Sequence, residues 1–145
     1  MRWFFRSGKS RTSAVKGGTA ASAAVRVFKL MIVDDSNIIR RRIERSHQID
    51  ALQLVGTAGN GVEAVEMFRK TDPDIVTMDL TMPQMDGIEC ISRLVTLKPS
   101  VRILVISALA DKATAVEAME KGANGFLNKP FTDRQLNEAI ADLLK

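Results

Sequence analysis

Five short strand-like runs, three of them almost wholly apolar and two less so, alternate with segments of helical periodicity, and this alternation limits the folds open to the chain. The predicted strands are 27–33, 51–58, 75–78, 101–106 and 124–127. A helical segment follows each of them, such as the one after Asn60, where Glu63 three residues on is typical of a helix start. Strands that alternate with helices over short connections form parallel sheets with helices on both faces. We therefore predict an α/β fold with a five-stranded parallel sheet.

The charge of the chain divides into two parts near residue 26. The net charge is +4, from 21 Lys and Arg against 17 Asp and Glu. Residues 1–26 hold six of the basic residues and no acid, which leaves 15 basic residues against 17 acids in 27–145. The basic character therefore belongs to a Ser-, Gly- and Ala-rich N-terminal segment. We predict a flexible basic extension over 1–26 and one folded domain over 27–145, without direct DNA binding.

Cysteine content and hydropathy bear on the compartment. The single cysteine, Cys90, permits no internal disulfide and gives no sign of an oxidising environment. No apolar run is long enough to span a bilayer. We expect a cytoplasmic protein without a transmembrane segment. Neither the oligomeric state nor the role of the basic extension follows from any motif.

Polar residues stand where the predicted strands end. Asp34 and Asp35 follow the first strand, Asp79 the third and Ser107 the fourth, and Lys129 comes soon after the fifth. In parallel sheets, ligands bind outside the carboxyl ends of the strands, so these side chains are expected to converge. Three clustered acids raise one another's pKa, and Mg²⁺, which prefers oxygen ligands, relieves that conflict. The set suits phosphoryl chemistry with one carboxylate as the nucleophile.

Four pieces of sequence, in this order on alternating elements, resemble the response-regulator receiver domains of the CheY type. They are VDD at 33–35, MDLTMPQMDG at 78–87, ISA at 106–108 and GFLNKPF at 125–131. Each piece alone is a weak signal, but the four together are specific. The resemblance covers roughly Val27 to Lys145 and implies the flavodoxin-like (βα)5 fold of that family.

The resemblance also implies the phosphoacceptor and the metal ligands. Asp79 would accept a phosphoryl group from the phosphohistidine of a histidine kinase or a histidine phosphotransfer protein. Asp35 and Asp79 would bind Mg²⁺ together with the backbone carbonyl of Thr81. Asp34 would act indirectly, through water or a weaker contact. The domain would promote its own phosphorylation and dephosphorylation rather than turn over an outside substrate.

Three further roles follow from the same resemblance. Lys129 would bind Asp79 and then the phosphoryl group, and the Lys129–Pro130 bond would be cis. Ser107, where many relatives carry Thr, would hydrogen-bond a phosphoryl oxygen. Phe126 would be the aromatic switch residue, and it lacks the hydroxyl of the Tyr found in other members. Leu109 and Thr81 would flank the path of the water that hydrolyses the phosphoryl group.

Three classes of function are compatible with an α/β chain of this kind. The first is a stand-alone receiver that binds an output protein when phosphorylated or passes the phosphoryl group on, as a chemotaxis regulator or a relay intermediate. The second is a Mg²⁺-dependent aspartyl-phosphate phosphatase of the haloacid-dehalogenase kind, which needs an acid two residues after the nucleophile, where this chain has Thr81. The third is a flavodoxin-like nucleotide binder, which the missing phosphate loop disfavours.

One basic helix side remains outside these assignments. Four arginines, Arg40, Arg41, Arg42 and Arg45, follow the first strand and its two acids. Such a charge run is usually a solvated helix face. Because the helix is expected to start beside the acids, it is also a candidate docking surface for a kinase.

Overall fold

The computed structural model describes residues 2–4, 26–46, 51–82, 85–108 and 112–145. Their strands and helices alternate after a first short strand. In chain order the elements are β1 Arg2–Phe4, β2 Phe28–Val33, α1 Asn37–Ser46, β3 Leu52–Ala58, α2 Gly61–Thr71, β4 Ile75–Met78, α3 Gly87–Leu97, β5 Arg102–Ser107, α4 Lys112–Glu120, β6 Gly125–Asn128 and α5 Asp133–Leu144. Each predicted strand of the sequence analysis therefore coincides with a strand of the structure to within one residue at either end.

The strands form one sheet in the order β1-β6-β5-β4-β2-β3. The five strands from β2 to β6 run parallel to one another. The predicted α/β fold with a five-stranded parallel sheet is thus confirmed. β2 lies between β3 and β4, so the chain continues to one side of β2 first and then to the other. In open α/β sheets, ligands bind at the carboxyl ends of the two strands where the order reverses in this way, which here are β2 and β4.

The structure places residues 2–4 in the sheet, where we expected a flexible extension over 1–26. β1 runs antiparallel to β6, with Trp3 opposite Phe126. Without β1, β6 would be the edge of the parallel sheet, and an edge strand presents N–H and C=O groups that pair readily with another strand. Aromatic residues favour extended backbone, which suits this short strand. The division of the chain at residue 26 stays a prediction, since residues 5–25 lie outside the described ranges.

Both faces of the sheet are buried, as the apolar strands predict. On β2, Leu30 and Ile32 belong to one hydrophobic cluster and Met31 and Val33 to the other. The Leu30 cluster includes side chains of α1 and α5, whereas the Met31 cluster includes side chains of α2, α3 and α4. Successive residues of a strand point to opposite faces, so one apolar run supplies two cores.

Four helices begin at capping side chains that accept a backbone N–H in the first turn. The pairs are Ser36 with Ile39, Asn60 with Glu63, Asp86 with Glu89 and Thr132 with Gln135. The predicted start of α2 at Asn60 is confirmed, and at the start of α5 the Thr132 and Gln135 side chains form a reciprocal capping box. α4 is followed by Gly122 at φ +119°, a backbone conformation that L side chains rarely adopt. Within the described ranges, no helix combines the length and the apolar character needed to cross a membrane.

Candidate functional site

Two acids leave the sheet side by side because β2 and β4 are neighbours in register. Val33 lies opposite Met78 in the parallel pair, so the next residues are Asp34 and Asp79. The Asp79 N–H donates to the Val33 carbonyl at 2.9 Å, which extends the pairing one step beyond β4. The sheet itself therefore delivers the two carboxylates to one place, as predicted from the strand ends.

Asp34, Asp35 and Asp79 form an acidic cluster. One carboxylate oxygen from each acid lies within 4.8 Å of the others, the arrangement of a possible metal site among the described residues. Asp34 and Asp79 are 1% and 5% exposed, whereas Asp35 is exposed. Three hard oxygen donors at this separation, with neither Cys nor His among them, fit Mg²⁺ and do not fit a thiolate-seeking metal. A cluster of this kind is typical of the magnesium site of receiver domains.

Lys129 reaches the same cluster from the end of β6. Its Nζ lies 2.8 Å from Asp34 Oδ2 and 3.7 Å from Asp79 Oδ1. The sequence analysis predicted a contact with Asp79; the structure adds a shorter one to Asp34. The Lys129 N–H donates to the Ser107 carbonyl at 3.0 Å, and the bond to Pro130 is cis, as the resemblance implied. The lysine backbone is therefore fixed to β5.

Burial changes the electrostatics of Asp79 more than any neighbour does. Loss of solvent around this carboxyl raises its pKa to about 6 from the ordinary value of 3.8, and the Asp34 carboxylate contributes in the same direction. The Lys129 ammonium and the Thr81 N–H oppose that rise in pKa, and Asp35 adds to it. An ionised Asp79 is therefore held at a cost in free energy, which a divalent cation in the cluster would reduce.

The other predicted site residues lie at different depths. Ser107, the last residue of β5, is fully buried. Thr81 is exposed, and its N–H donates to Asp79 Oδ1 over a long 3.4 Å. Phe126 is 1% exposed and belongs to the core cluster that includes α4 side chains. Leu109, for which we expected a place beside the hydrolytic water, lies outside the described residues.

Gly87 is a site residue that the sequence analysis did not single out. It is the first residue of α3, and its N–H donates to the Leu80 carbonyl. A Cβ atom at this position would lie 2.4 Å from the Asp79 carbonyl oxygen and 2.5 Å from the Leu80 Cα. Only glycine therefore lets α3 begin against the backbone of the Asp79 turn. The glycine is visible in the sequence as the last residue of the MDG triplet at 85–87, but only the close approach of α3 to the Asp79 turn shows why it must be glycine.

The fold and the acidic cluster define a phosphoacceptor signalling module of the CheY-like α/β class. The sequence model for the response regulator receiver domain matches residues 30–141. The chain belongs to this family of two-component signal transduction.

Named relatives and a solved structure agree with that assignment. The chain is 37% identical over 119 residues to the chemotaxis protein CheY of Listeria monocytogenes, covering 82% of this chain and 100% of that one. It is 43% identical to a protein-glutamate methylesterase/protein-glutamine glutaminase of Pseudoalteromonas atlantica, covering 79% of this chain but 31% of that one. A CheX–CheY–BeF3–Mg²⁺ complex from Borrelia burgdorferi superposes with a TM-score of 0.78 and 31% identity, covering 81% and 90% of the two chains.

Proposed function

We propose that the chain is a stand-alone response regulator that accepts a phosphoryl group on Asp79. The donor is the phosphohistidine of a histidine kinase or of a histidine phosphotransfer protein. The observation that carries the proposal is the convergence of a buried Asp79 with Asp34, Asp35 and Lys129 at the carboxyl ends of the strands. A carboxylate nucleophile, further acids for a cation and an ammonium for phosphoryl oxygens are the parts that phosphoryl transfer needs.

The transfer forms one bond and breaks another. An Asp79 carboxylate oxygen attacks phosphorus while the bond between phosphorus and the donor's imidazole nitrogen breaks, and the imidazole takes up the electron pair. Asp79 has to be ionised to attack, and with a pKa of about 6 it is largely so at neutral pH. Mg²⁺, when bound, supplies charge neutralisation for the acids and the phosphoryl oxygens.

The remaining residues hold the reacting groups. Asp35, Asp79 and the backbone carbonyl of Thr81 are the proposed protein ligands of Mg²⁺, with Asp34 contributing indirectly. On phosphorylation, the Lys129 ammonium leaves the carboxylates that it contacts here and binds a phosphoryl oxygen. Ser107, which ends the neighbouring strand, donates its hydroxyl to another phosphoryl oxygen.

The output of the phosphorylated domain is carried by protein contacts. We propose that Phe126 acts as a packing switch in β6, either for binding an output protein or for onward transfer of the phosphoryl group. Both a chemotaxis regulator and a relay intermediate fit this scheme. We also propose that the protein is cytoplasmic, where a histidine kinase would meet the domain. The domain itself promotes the loss of its phosphoryl group.

The Mg²⁺-dependent phosphatase is the alternative, and one observation disfavours it. A general acid two residues after the nucleophile would have to occupy position 81, which is an exposed threonine. A threonine hydroxyl does not supply the proton that a leaving alcohol requires at neutral pH. Turnover of an outside phosphate ester is therefore not expected.

Incubation with Mg²⁺ and acetyl phosphate tests the proposal. Intact-mass spectrometry should show one phosphoryl group on the wild-type chain and none on Asp79→Asn. Inorganic phosphate should appear no faster than the phosphorylated chain decays after the donor is removed. Release that is much faster than this decay, with no phosphorylated chain accumulating, would identify a phosphatase instead.

A further inference from the structure

We propose that Arg40 and Arg42 on α1 are positioning residues for the phosphoacceptor site. Arg40 holds the turn that carries the acids, and Arg42 holds the loop that follows Lys129. The inference rests on the proposed function of Asp79, and it replaces the interpretation of the four arginines as one solvated or docking face.

The two arginines lie two residues apart and therefore on opposite sides of α1. Each residue of an α-helix turns the chain by about 100°, so residues two apart diverge by roughly 200°. α1 begins beside the acidic turn and also packs near α5, which follows the Lys129 loop. One helix can therefore reach both loops of the site.

Arg40 is bound to the acidic turn. Its Nη1 donates to the Asp34 backbone carbonyl at 2.5 Å, and its Nη2 donates to Asn37 Oδ1. A Cβ atom at Gly59 would lie 3.2 Å from Nη1, so the guanidinium also lies close against the loop after β3. The Asp34 side chain is fixed in turn, because it accepts the Ser36 N–H at 2.9 Å and the Lys129 ammonium at 2.8 Å. Arg40 thus completes the ordering of the segment that presents Asp34 and Asp35.

Arg42 is bound to the other loop by three separate interactions. Its Nη2 donates to the Phe131 backbone carbonyl. The same guanidinium lies 4.4 Å from the centroid of the Phe131 ring and 3.6 Å from Asp133 Oδ1. Phe131 is 3% exposed and lies two residues after Lys129, so its position fixes the chain from which the lysine side chain extends. Arginine is suited to this task because its planar group donates in a fixed fork and stacks on aromatic rings.

Arg41 provides the matched control within the same helix. It lies between the two positioning arginines and is exposed, and its side chain makes no hydrogen bond or ion pair with the described residues. Removing its charge changes the field around the acids without releasing either loop. Effects shared by all three arginines therefore report charge, and effects confined to Arg40 or Arg42 report position.

The two residues should be separable by experiment because they act on different parts of the site. Arg42 fixes the position of Lys129 through Phe131. Lys129 is needed for phosphoryl transfer but is not proposed as a metal ligand. Replacing Arg42 with Met keeps an apolar stem against Phe131. We expect Arg42→Met to slow phosphorylation of Asp79 by acetyl phosphate about tenfold at saturating Mg²⁺ and to leave the half-saturating Mg²⁺ concentration within about twofold. Arg42→Lys, which keeps the cation, should restore part of the rate.

Arg40 should affect the cation instead. Losing a positive charge near three acids would by itself tighten Mg²⁺ binding, whereas loosening the acidic turn weakens it. We expect the second effect to dominate, with the half-saturating Mg²⁺ concentration rising about tenfold in Arg40→Met, as read from the Mg²⁺ dependence of the melting temperature. Tighter binding in Arg40→Met, as in Arg41→Met, would overturn the positioning role of Arg40.

Amide hydrogen exchange gives a readout that needs no phosphorylation. Exchange should increase at 34–36 in Arg40→Met and at 131–133 in Arg42→Met, with Arg41→Met unchanged at both places. Equal amide exchange in all three variants would overturn the inference. Phosphorylation of Asp79 at the wild-type rate in Arg42→Met would overturn it as well. A wild-type chain that takes no phosphoryl group on Asp79 would refute the proposed function, and the exchange pattern would then still decide whether the arginines hold the loops. If Arg42→Met fails to fold, Arg42→Lys must show the same exchange change in smaller degree.

Discussion

Replacing Asp79 with Asn should stabilise the fold in the absence of Mg²⁺, and the gain should depend on pH. The substitution keeps the shape of the side chain and removes a carboxylate that is 5% exposed and lies beside Asp34. Burial and that neighbour raise the pKa of Asp79 to about 6, so its ionised form is disfavoured in the folded chain. Asn carries no charge at any pH, and it therefore escapes this cost.

The sign and size of the effect follow from linkage. A carboxyl whose folded pKa exceeds its unfolded value binds its proton more tightly in the native state. Its contribution to stability is fully present below pH 3.8 and is lost as the pH rises through about 6. A rise from 3.8 to about 6 corresponds to a loss of about 3 kcal/mol of unfolding free energy at neutral pH. The Asp79→Asn chain should therefore match wild type near pH 4 and exceed it by up to that amount near pH 7.

Urea unfolding followed by circular dichroism, in EDTA from pH 4 to pH 7.5, measures this difference. The exposed acid Glu66 on α2 offers a control, because Glu66→Gln also removes one charge and should leave the curve parallel to wild type. Saturating Mg²⁺ should shrink the advantage of Asp79→Asn, since the cation binds and stabilises the wild-type cluster of three carboxylates more than the two that remain in the variant. A difference between Asp79→Asn and wild type that does not change with pH would refute the assignment of the raised pKa to Asp79.

Four further outcomes are expected. Mg²⁺ should raise the melting temperature of wild type, and Asp35→Ala should remove most of that shift; equal shifts in both chains would exclude Asp35 as a ligand. Thr77→Val should stabilise the chain by about 1 kcal/mol in urea unfolding, because the buried Thr77 hydroxyl has no hydrogen-bond partner among the described residues; a loss of stability would mean that the hydroxyl is satisfied. Leu109→Glu should speed loss of the phosphoryl group after the donor is removed, because a polar side chain can hold the attacking water; an unchanged or slower rate would exclude control by this position. A chain that begins at Val25 should still fold and become phosphorylated, since the N-terminal segment lacks apolar periodicity; failure would move the domain boundary.

The parallel sheet was predictable from sequence because its strands, three of them continuous apolar runs, alternate with helices over short connections. β1 was not, for two physical reasons. A three-residue strand is too short to show a period, and its stability depends on the free edge of β6, which exists only once the sheet has formed. Composition sets the N-terminal segment apart by its basic charge but carries no information about strand pairing.

The gathering of the acids and Lys129 was predictable because residues that end parallel strands meet at one edge. The individual side-chain contacts within this group were not predictable from sequence. The nearer partner of Lys129 is Asp34, and that choice is set by side-chain geometry. The contacts of Arg40 and Arg42 are equally invisible in sequence, since neighbouring arginines look alike until the loops they reach are known.

The identity of the phosphorylated residue is the most direct test of the central claim. Borohydride reduces an aspartyl phosphate to homoserine, so treatment of the phosphorylated chain marks the acceptor permanently. Peptide sequencing by mass spectrometry should find homoserine at position 79 in wild type and nowhere in Asp79→Asn. Homoserine at position 34 or 35 in the wild-type chain, or phosphate on a residue outside the acidic cluster, would contradict the proposed site.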